Sequence, residues 1–161
     1  MNAVVESVRS LWVPLNGVNL LIPNVAVAEV VEPEALRDFP GAPQWMSGTV
    51  RWRGFNIPVV SMESLCGCDA RGSATKLRIC VINSLNAGSG LSFYAMTAAA
   101  IPRLVNVDAD TLGESLKSTS NDLPDTVADL VRMDGEEVLI PNLPLIQKMV
   151  ESAWSDIDLQ E

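Results

Sequence analysis

Apolar residues near the start of the chain form two short runs on either side of an Asn-Gly pair. Residues 8–15 and 18–22 are rich in apolar side chains, and Asn16-Gly17 separates them. Asn-Gly favours a tight turn because both residues tolerate a positive φ, and apolar runs of this length are typical of strands. The pattern therefore predicts a β-hairpin.

The stretch that follows is less regular. Residues 25–30 place apolar side chains around Glu29 over a length that suits one helical turn or a short extended piece, and we interpret them as a short helix. Prolines recur between residues 33 and 43. Because proline lacks the N–H that a helix or a sheet would use, we expect an irregular connection that ends near Gly48.

A second hairpin is predicted around Arg53-Gly54. Residues 49–52 and 56–62 flank this pair and are typical of two strands joined tightly. Residues 63–66 are expected to turn helical, and residues 67–75 are small and polar, which indicates a surface loop between two halves.

The second half of the chain repeats the plan of the first. A strand is predicted at residues 76–84, a glycine-rich turn at residues 86–90 and a second strand at residues 91–95. A further hairpin is predicted around an Asp-Gly pair: residues 127–133, 134–135 and 138–140. Between them, residues 112–125 are polar and acidic and should form an exposed excursion.

Two halves of similar design predict a two-lobed all-β domain. The whole chain of 161 residues is taken as a single domain, with approximate subdomains at 10–66 and 76–142. Near its end, apolar residues stand close to helical spacing, which predicts a C-terminal helix over residues 143–155 that caps a lobe.

Charge and composition limit the partners of the chain. Hydrophobic residues make up 48% of it, and 20 acidic against 11 basic residues give a formal charge of -9. Such a surface repels phosphate backbones and anionic head groups, so we expect no nucleic-acid partner. No apolar run approaches the roughly 18 residues of a spanning helix, and the start lacks a signal-peptide pattern. We therefore expect a cytoplasmic protein without direct membrane insertion.

The sequence contains no histidine, which removes the commonest acid–base and nucleophile arrangements. The remaining enzyme candidates are Asp122 with Asp125 and Cys66 with Cys68, both in expected loops. We expect no enzyme, no catalytic residue and no cofactor. Cys66, Cys68 and Cys80 fit neither a disulfide framework nor a zinc knuckle. Buried reduced thiols and a redox or metal pair both stay open, and we expect no metal site.

Three segments of the chain resemble successive blocks of the CheW-like domain family. They are GVNLLIPNVAVAEVVEP, FPGAPQWMSGTVRWRGFNIPVVSMESL and VADLVRMDGEEVLIPNLPLI. The resemblance covers residues 10–150, and its most specific part is the central block around Trp45, Gly48, Arg53-Gly54 and Pro58. Ser61 and the segment MTAAAIPRLV depart from the family pattern, which indicates a divergent member.

The resemblance implies both a fold and a function. The implied fold is two similar five-stranded β-barrel subdomains packed together. The implied function is a non-enzymatic adaptor that couples the cytoplasmic tip of a methyl-accepting chemoreceptor to the regulatory domain of a CheA-type histidine kinase, in a chemotaxis or twitching-motility system. The alternatives are a generic β-barrel protein-interaction module and a competitor or modulator of another CheW-type adaptor.

The resemblance also indicates a partner-binding set. Its members are Val27, Glu29, Gly48, Val50, Trp52, Arg53 and Gly54. Glu29 and Arg53 match a carboxylate and an arginine that lie close together on the receptor-facing groove, and we expect them to pair, with solvated surface charges as the alternative.

The other members of the set have structural alternatives. We expect glycine at positions 48 and 54 because the backbone there has a positive φ or approaches another group closely. The turn that Gly48 and Gly54 define presents Arg53. Val27 and Val50 are either an exposed apolar patch or core residues. Among the tryptophans we expect Trp52 to be exposed or interfacial, and the other three to be core or lid residues: Trp12, Trp45 and Trp154.

Overall fold

The computed structural model describes residues 7–32, 34–67, 78–85, 91–116 and 123–158. Its strands are β1 (Val8–Pro14), β2 (Asn19–Pro23), β3 (Val27–Val31), β4 (Met46–Trp52), β5 (Phe55–Val60), β6 (Arg78–Asn83), β7 (Phe93–Ala98), β8 (Arg103–Val107), β9 (Val127–Met133) and β10 (Glu136–Pro141). Its helices are α1 (Met62–Leu65) and α2 (Leu143–Asp158), with a 3-10 helix at Asn24–Ala26.

The strands form two five-stranded sheets of identical topology. One has the order β8-β1-β2-β10-β9 and the other the order β3-β6-β7-β5-β4. In each sheet a parallel pair joins two antiparallel hairpins, and one further antiparallel strand lies at the edge. The strand β3 is thus the counterpart of β8, and the turn between β4 and β5 is the counterpart of the turn between β9 and β10. The shared topology supports the internal duplication that the sequence suggests.

Sheet membership does not follow chain order. The chain gives β1 and β2 to one sheet, builds the other from β3 to β7, and returns to the first with β8 to β10. Each predicted half, 10–66 and 76–142, therefore contributes strands to both sheets. Whether those halves act as subdomains stays a prediction.

Apolar residues alternate between two faces of the central strands. In β1, Leu11 and Val13 lie in a core shared by both sheets, whereas Trp12 lies in a separate core of its own lobe. In β6, Cys80 belongs to the shared core and Ile79 to the core of the other lobe. Strands buried on both faces appear in the sequence as nearly continuous apolar runs, which explains the pattern.

Most predicted elements are confirmed. The hairpins at 8–22, 49–62 and 127–140, the helical turn at 63–66 and the C-terminal helix all appear, the last as α2. Ile146 and Val150 of α2 are fully buried in the shared core, so the helix covers the junction of the two sheets. The predicted turn at 86–90 lies outside the described residues, as do most of the loop at 67–75 and part of the excursion at 112–125.

Two expectations need correction. The predicted helix at 25–30 is wrong, because Val27–Val31 pairs with β6 as a strand and only Asn24–Ala26 turns helically. Ladder hydrogen bonds to a neighbouring strand override the weak local preference. The all-β class with two five-stranded sheets is confirmed, but backbone pairing among the described residues does not close either sheet into a barrel.

Candidate partner-binding site

Glu29 lies on β3, one edge strand of its sheet, and contacts β4 at the other edge. The indole Nε1–H of Trp52 donates a hydrogen bond to Glu29 Oε2 at 2.7 Å. Because β3 and β4 are four positions apart in the sheet order, this side-chain bond joins two edges that backbone pairing leaves open. The sheet therefore curls far enough for its edge strands to meet through side chains.

Arg53 extends this contact to the surface. Its Nη2 lies 3.4 Å from the same Glu29 Oε2, and the two side chains are 66% and 38% exposed. The guanidinium carbon lies 4.9 Å from the centre of the Trp52 ring, within range of a cation–π interaction. The expected pairing of Glu29 with Arg53 is thus found, while its role in partner binding stays a prediction.

The turn that presents Arg53 has an unusual backbone. Arg53 has φ 47° and Gly54 has φ 83°. Two successive positive φ values define the type I′ hairpin turn, in which asparagine or aspartate normally precedes the glycine. The Cβ of a residue other than glycine is costly in this conformation, and arginine lacks the short polar side chain with which asparagine or aspartate offsets the cost, so the turn holds its arginine against local preference. The prediction that the backbone at Gly54 requires a positive φ is confirmed.

Trp52 is buried, so the exposed alternative for its indole is wrong, while its place in the partner-binding set stays a prediction. It is directly opposite Phe55 in the hairpin register, so both side chains lie on the same face of the sheet, where Trp52 packs edge-on against Phe93 at 4.8 Å. The remaining tryptophans behave as expected, since Trp12 is buried and the other two pack against the shared core: Trp45 and Trp154.

Gly48 is required by close approach. It has φ 150°, and a Cβ at this position would lie 2.5 Å from the carbonyl oxygen of Arg37. Arg37 pairs through its backbone with Thr49 and covers this part of the β4 edge. Gly48 thus shapes the strand that leads to the site.

The two valines of the predicted set have packing roles. Val50 is buried in the core of its lobe, so the core alternative is the one that the structure shows. Val27 is half-buried and packs against the shared core.

Sequence reasoning missed the aromatic contact beside the site. Phe55 is 48% exposed and its ring packs against Phe93 at 5.4 Å, at the open end of the lobe that Trp52 fills. An apolar residue directly after a Gly turn is a signal that could have drawn attention to Phe55. Phe93 gave no such signal, because its place beside Trp52 depends on pairing between distant strands.

Exposed apolar residues were also missed on β3, on β8 and next to them. They are Val25, Val30, Ile101 and Leu104. Val30 is paired with Cys80, and Leu104 is paired with Leu11, and both partners belong to the shared core. Directly opposed residues point to the same face of a sheet, so Val30 and Leu104 extend the face of the shared core to the surface.

The structure describes only one member of each pair that we considered for catalysis. Cys66 and Cys80 are buried, which fits the thiol alternative, and burial raises the pKa of Cys80 to about 12. Cys68 and Asp122 lie outside the described residues, and Asp125 is exposed. Within the described ranges, no group of three or more potential ligands could hold a metal ion. No helix in the same ranges is long and apolar enough to cross a membrane.

Comparisons with known proteins agree on the fold. The structure is similar to the crystal structure of the scaffolding protein TtCheW from Thermoanaerobacter tengcongensis, with a TM-score of 0.69 and 18% identity over 86% of this chain and 90% of that chain. No curated protein sequence matches the chain significantly. The profile of the CheW-like domain matches residues 9–151, which include nearly all of both sheets. The chain therefore belongs to the CheW-like domain family.

Proposed function

We propose that this chain is a non-enzymatic adaptor that couples a methyl-accepting chemoreceptor to a CheA-type histidine kinase in the cytoplasm. The observation that carries the proposal is the joining of Glu29 and Arg53 at an exposed turn of a CheW-like fold. Arg53 on this turn, held beside Glu29 of β3, can fix the orientation of an interface, since an arginine fork binds a carboxylate of a partner with defined geometry.

The receptor would bind along the edge strand β3, which carries charged and apolar side chains on its two faces. Val30 and Glu29 are adjacent on this strand and point to opposite faces, and both are accessible to solvent. A helical receptor tip docks by placing apolar side chains on such a patch, while charged residues at the rim fix its register. Leu104, at the counterpart position on β8, is an exposed apolar residue of the other sheet.

The kinase regulatory domain would bind a second face of the adaptor. Coupling requires that receptor and kinase are held at the same time, so the two surfaces cannot coincide. Arg53 is therefore assigned to the receptor, and substitution of Arg53 should leave kinase binding intact.

Isothermal titration tests this division. The chain is titrated with the regulatory domain of the CheA-type kinase from the same genome, and separately with a receptor-tip helical hairpin. Arg53→Ala should weaken receptor binding by about tenfold, which corresponds to the loss of one charge-assisted contact. The matched control is Arg132→Ala, an exposed arginine close to the turn at the counterpart position of the other lobe. It should bind both partners as the unmodified chain does.

The result also separates the proposal from its alternatives. A folded protein that binds neither partner would contradict the adaptor role and favour a module of another pathway. Reconstituted kinase assays then distinguish coupling from competition. A coupler lets the receptor control kinase activity in the absence of other adaptors, whereas a competitor only lowers the activity that another CheW-type adaptor supports.

A further inference from the structure

A single carboxylate oxygen is shared by two donors at the candidate site. Glu29 Oε2 accepts the indole N–H of Trp52 at 2.7 Å and lies 3.4 Å from Nη2 of Arg53. Charge-assisted N–H···O bonds are normally about 2.7–2.9 Å long. Trp52 thus makes the short bond to Glu29, and Arg53 is held at a longer distance.

The guanidinium of Arg53 is left largely available. Among the described residues its ion pair with Glu29 is the one charged contact, although a guanidinium carries five donors. Its carbon lies over the Trp52 ring at 4.9 Å, and the side chain is 66% exposed. The same indole therefore supports Arg53 through its face and restrains Glu29 through its N–H.

We propose that Trp52 is a positioning residue that holds the Glu29 carboxylate away from Arg53, so that the arginine stays ready for a carboxylate of the partner. Without the indole N–H, Glu29 closes on Arg53 and forms a short internal pair. The partner must then break that pair before it binds. Trp52 acts without touching the partner, because it is only 8% exposed.

The proposal rests on the proposed receptor-binding role of Arg53, and Trp52→Phe tests it. Phenylalanine keeps an aromatic ring beside Phe93 and below Arg53 but has no N–H to donate. Receptor-tip binding should weaken by about tenfold in this variant, the value of one lost charged contact. Binding of the kinase regulatory domain should not change.

A second substitution distinguishes positioning from packing. In the Trp52→Phe background, Glu29→Gln removes the charge that would close on Arg53. The double variant is compared with Glu29→Gln alone, and the two should bind the receptor tip equally, because loss of the indole N–H matters only while the Glu29 carboxylate is present. If Trp52 acted only by filling the lobe, Trp52→Phe would weaken binding about tenfold with or without that carboxylate, and the proposal would be wrong.

A measurement on the free protein separates this inference from the proposed function. Hydrogen exchange of the Arg53 side-chain N–H groups, followed by NMR, should slow in Trp52→Phe because the new internal pair protects them. Unchanged exchange would overturn the positioning role even if the receptor binds. Absence of receptor binding by the unmodified chain would overturn the proposed function, while slowed exchange would still support the role of Trp52.

Discussion

The carbonyl oxygen of Arg37 occupies the space that a side chain on Gly48 would need. A Cβ at this position would lie 2.5 Å from that oxygen, closer than real contacts allow, and the φ of 150° is already unfavourable for a side chain. The oxygen belongs to the backbone and cannot rotate away as a side chain could. The segment at Arg37 must therefore separate from β4 if Gly48 is replaced.

We accordingly expect Gly48→Ala to lower the free energy of unfolding by about 2–4 kcal/mol, through steric overlap added to backbone strain. Gly54→Ala is the matched control, because Gly54 also has positive φ but a Cβ added there would meet nothing within 4 Å. That change should cost only the backbone term, about 1–2 kcal/mol. Urea unfolding of both variants measures the difference, and equal losses would contradict the overlap.

Arg53 gives a second prediction, in which stability and binding move in opposite directions. Arg53→Asn places the residue preferred by a type I′ turn at φ 47° and removes an ion pair that is largely exposed. Such pairs contribute about 0–1 kcal/mol, so the protein should be equally stable or up to about 1 kcal/mol more stable. Receptor-tip binding should weaken as in Arg53→Ala.

The control for this substitution is Asp134→Asn in the counterpart turn of the other lobe. Asp134 has φ 54°, but aspartate already tolerates the left-handed region, so stability should change by less than about 0.5 kcal/mol. Denaturant unfolding and receptor titration measure both variants. A loss of stability in Arg53→Asn would mean that the contacts of the arginine outweigh its backbone strain.

The sequence was informative wherever local chemistry decides structure. The Arg53-Gly54 and Asp134-Gly135 turns and the apolar runs around them predict hairpins, because turn geometry and alternation are local. Val27–Val31 was mistaken for a helix because its strand identity depends on pairing with β6, far along the chain. The sequence also carried no sign that each half contributes strands to both sheets, because this too depends on pairing between distant segments.

The candidate site was predictable only in part. The pairing of Glu29 with Arg53 followed from family resemblance, and the structure shows it. The burial of Trp52 was not predictable, because a tryptophan next to an exposed arginine gives no sign of which face it occupies until the register with Phe55 is known. The contact of Phe93 with Trp52 was not predictable either, because it depends on pairing between distant strands.

Gln147 of α2 provides a third prediction. It is 3% exposed, accepts a hydrogen bond from the Leu85 N–H, and donates to Ser84 Oγ at 2.7 Å and to Glu151 Oε1 at 2.8 Å. The amide thus joins α2 by hydrogen bonds to the residues that follow β6. Gln147→Leu removes all three bonds, and we expect a loss of about 1–3 kcal/mol in thermal or urea unfolding.

Glu151→Gln is the matched control for Gln147. The amide oxygen of glutamine still accepts the Gln147 donor, so this variant should differ from the unmodified chain by less than about 0.5 kcal/mol. A comparable loss in both variants would show that the charge of Glu151, and not the buried amide, stabilises the helix.

The buried thiol of Cys80 is the basis of a fourth prediction, which concerns how the stability of the protein changes at alkaline pH. Burial raises its pKa from 9.0 to about 12, so the folded protein keeps the thiol protonated where the unfolded chain has lost the proton. Stability from this group is complete below pH 9 and falls as the pH rises towards 12, since the unfolded state binds fewer protons in this range. Burial also raises the pKa of Tyr94 above its ordinary value of 10.0, which adds to the loss at higher pH.

The contribution of Cys80 is isolated between about pH 9 and 10, below the ordinary pKa of tyrosine. The free energy of unfolding should fall with pH in the unmodified chain and fall less steeply in Cys80→Ala. The comparison uses slopes, because alanine also leaves a small cavity that lowers stability equally at every pH. Identical slopes would mean that the buried thiol ionises in the folded protein, and water would then have to reach the core between the two sheets.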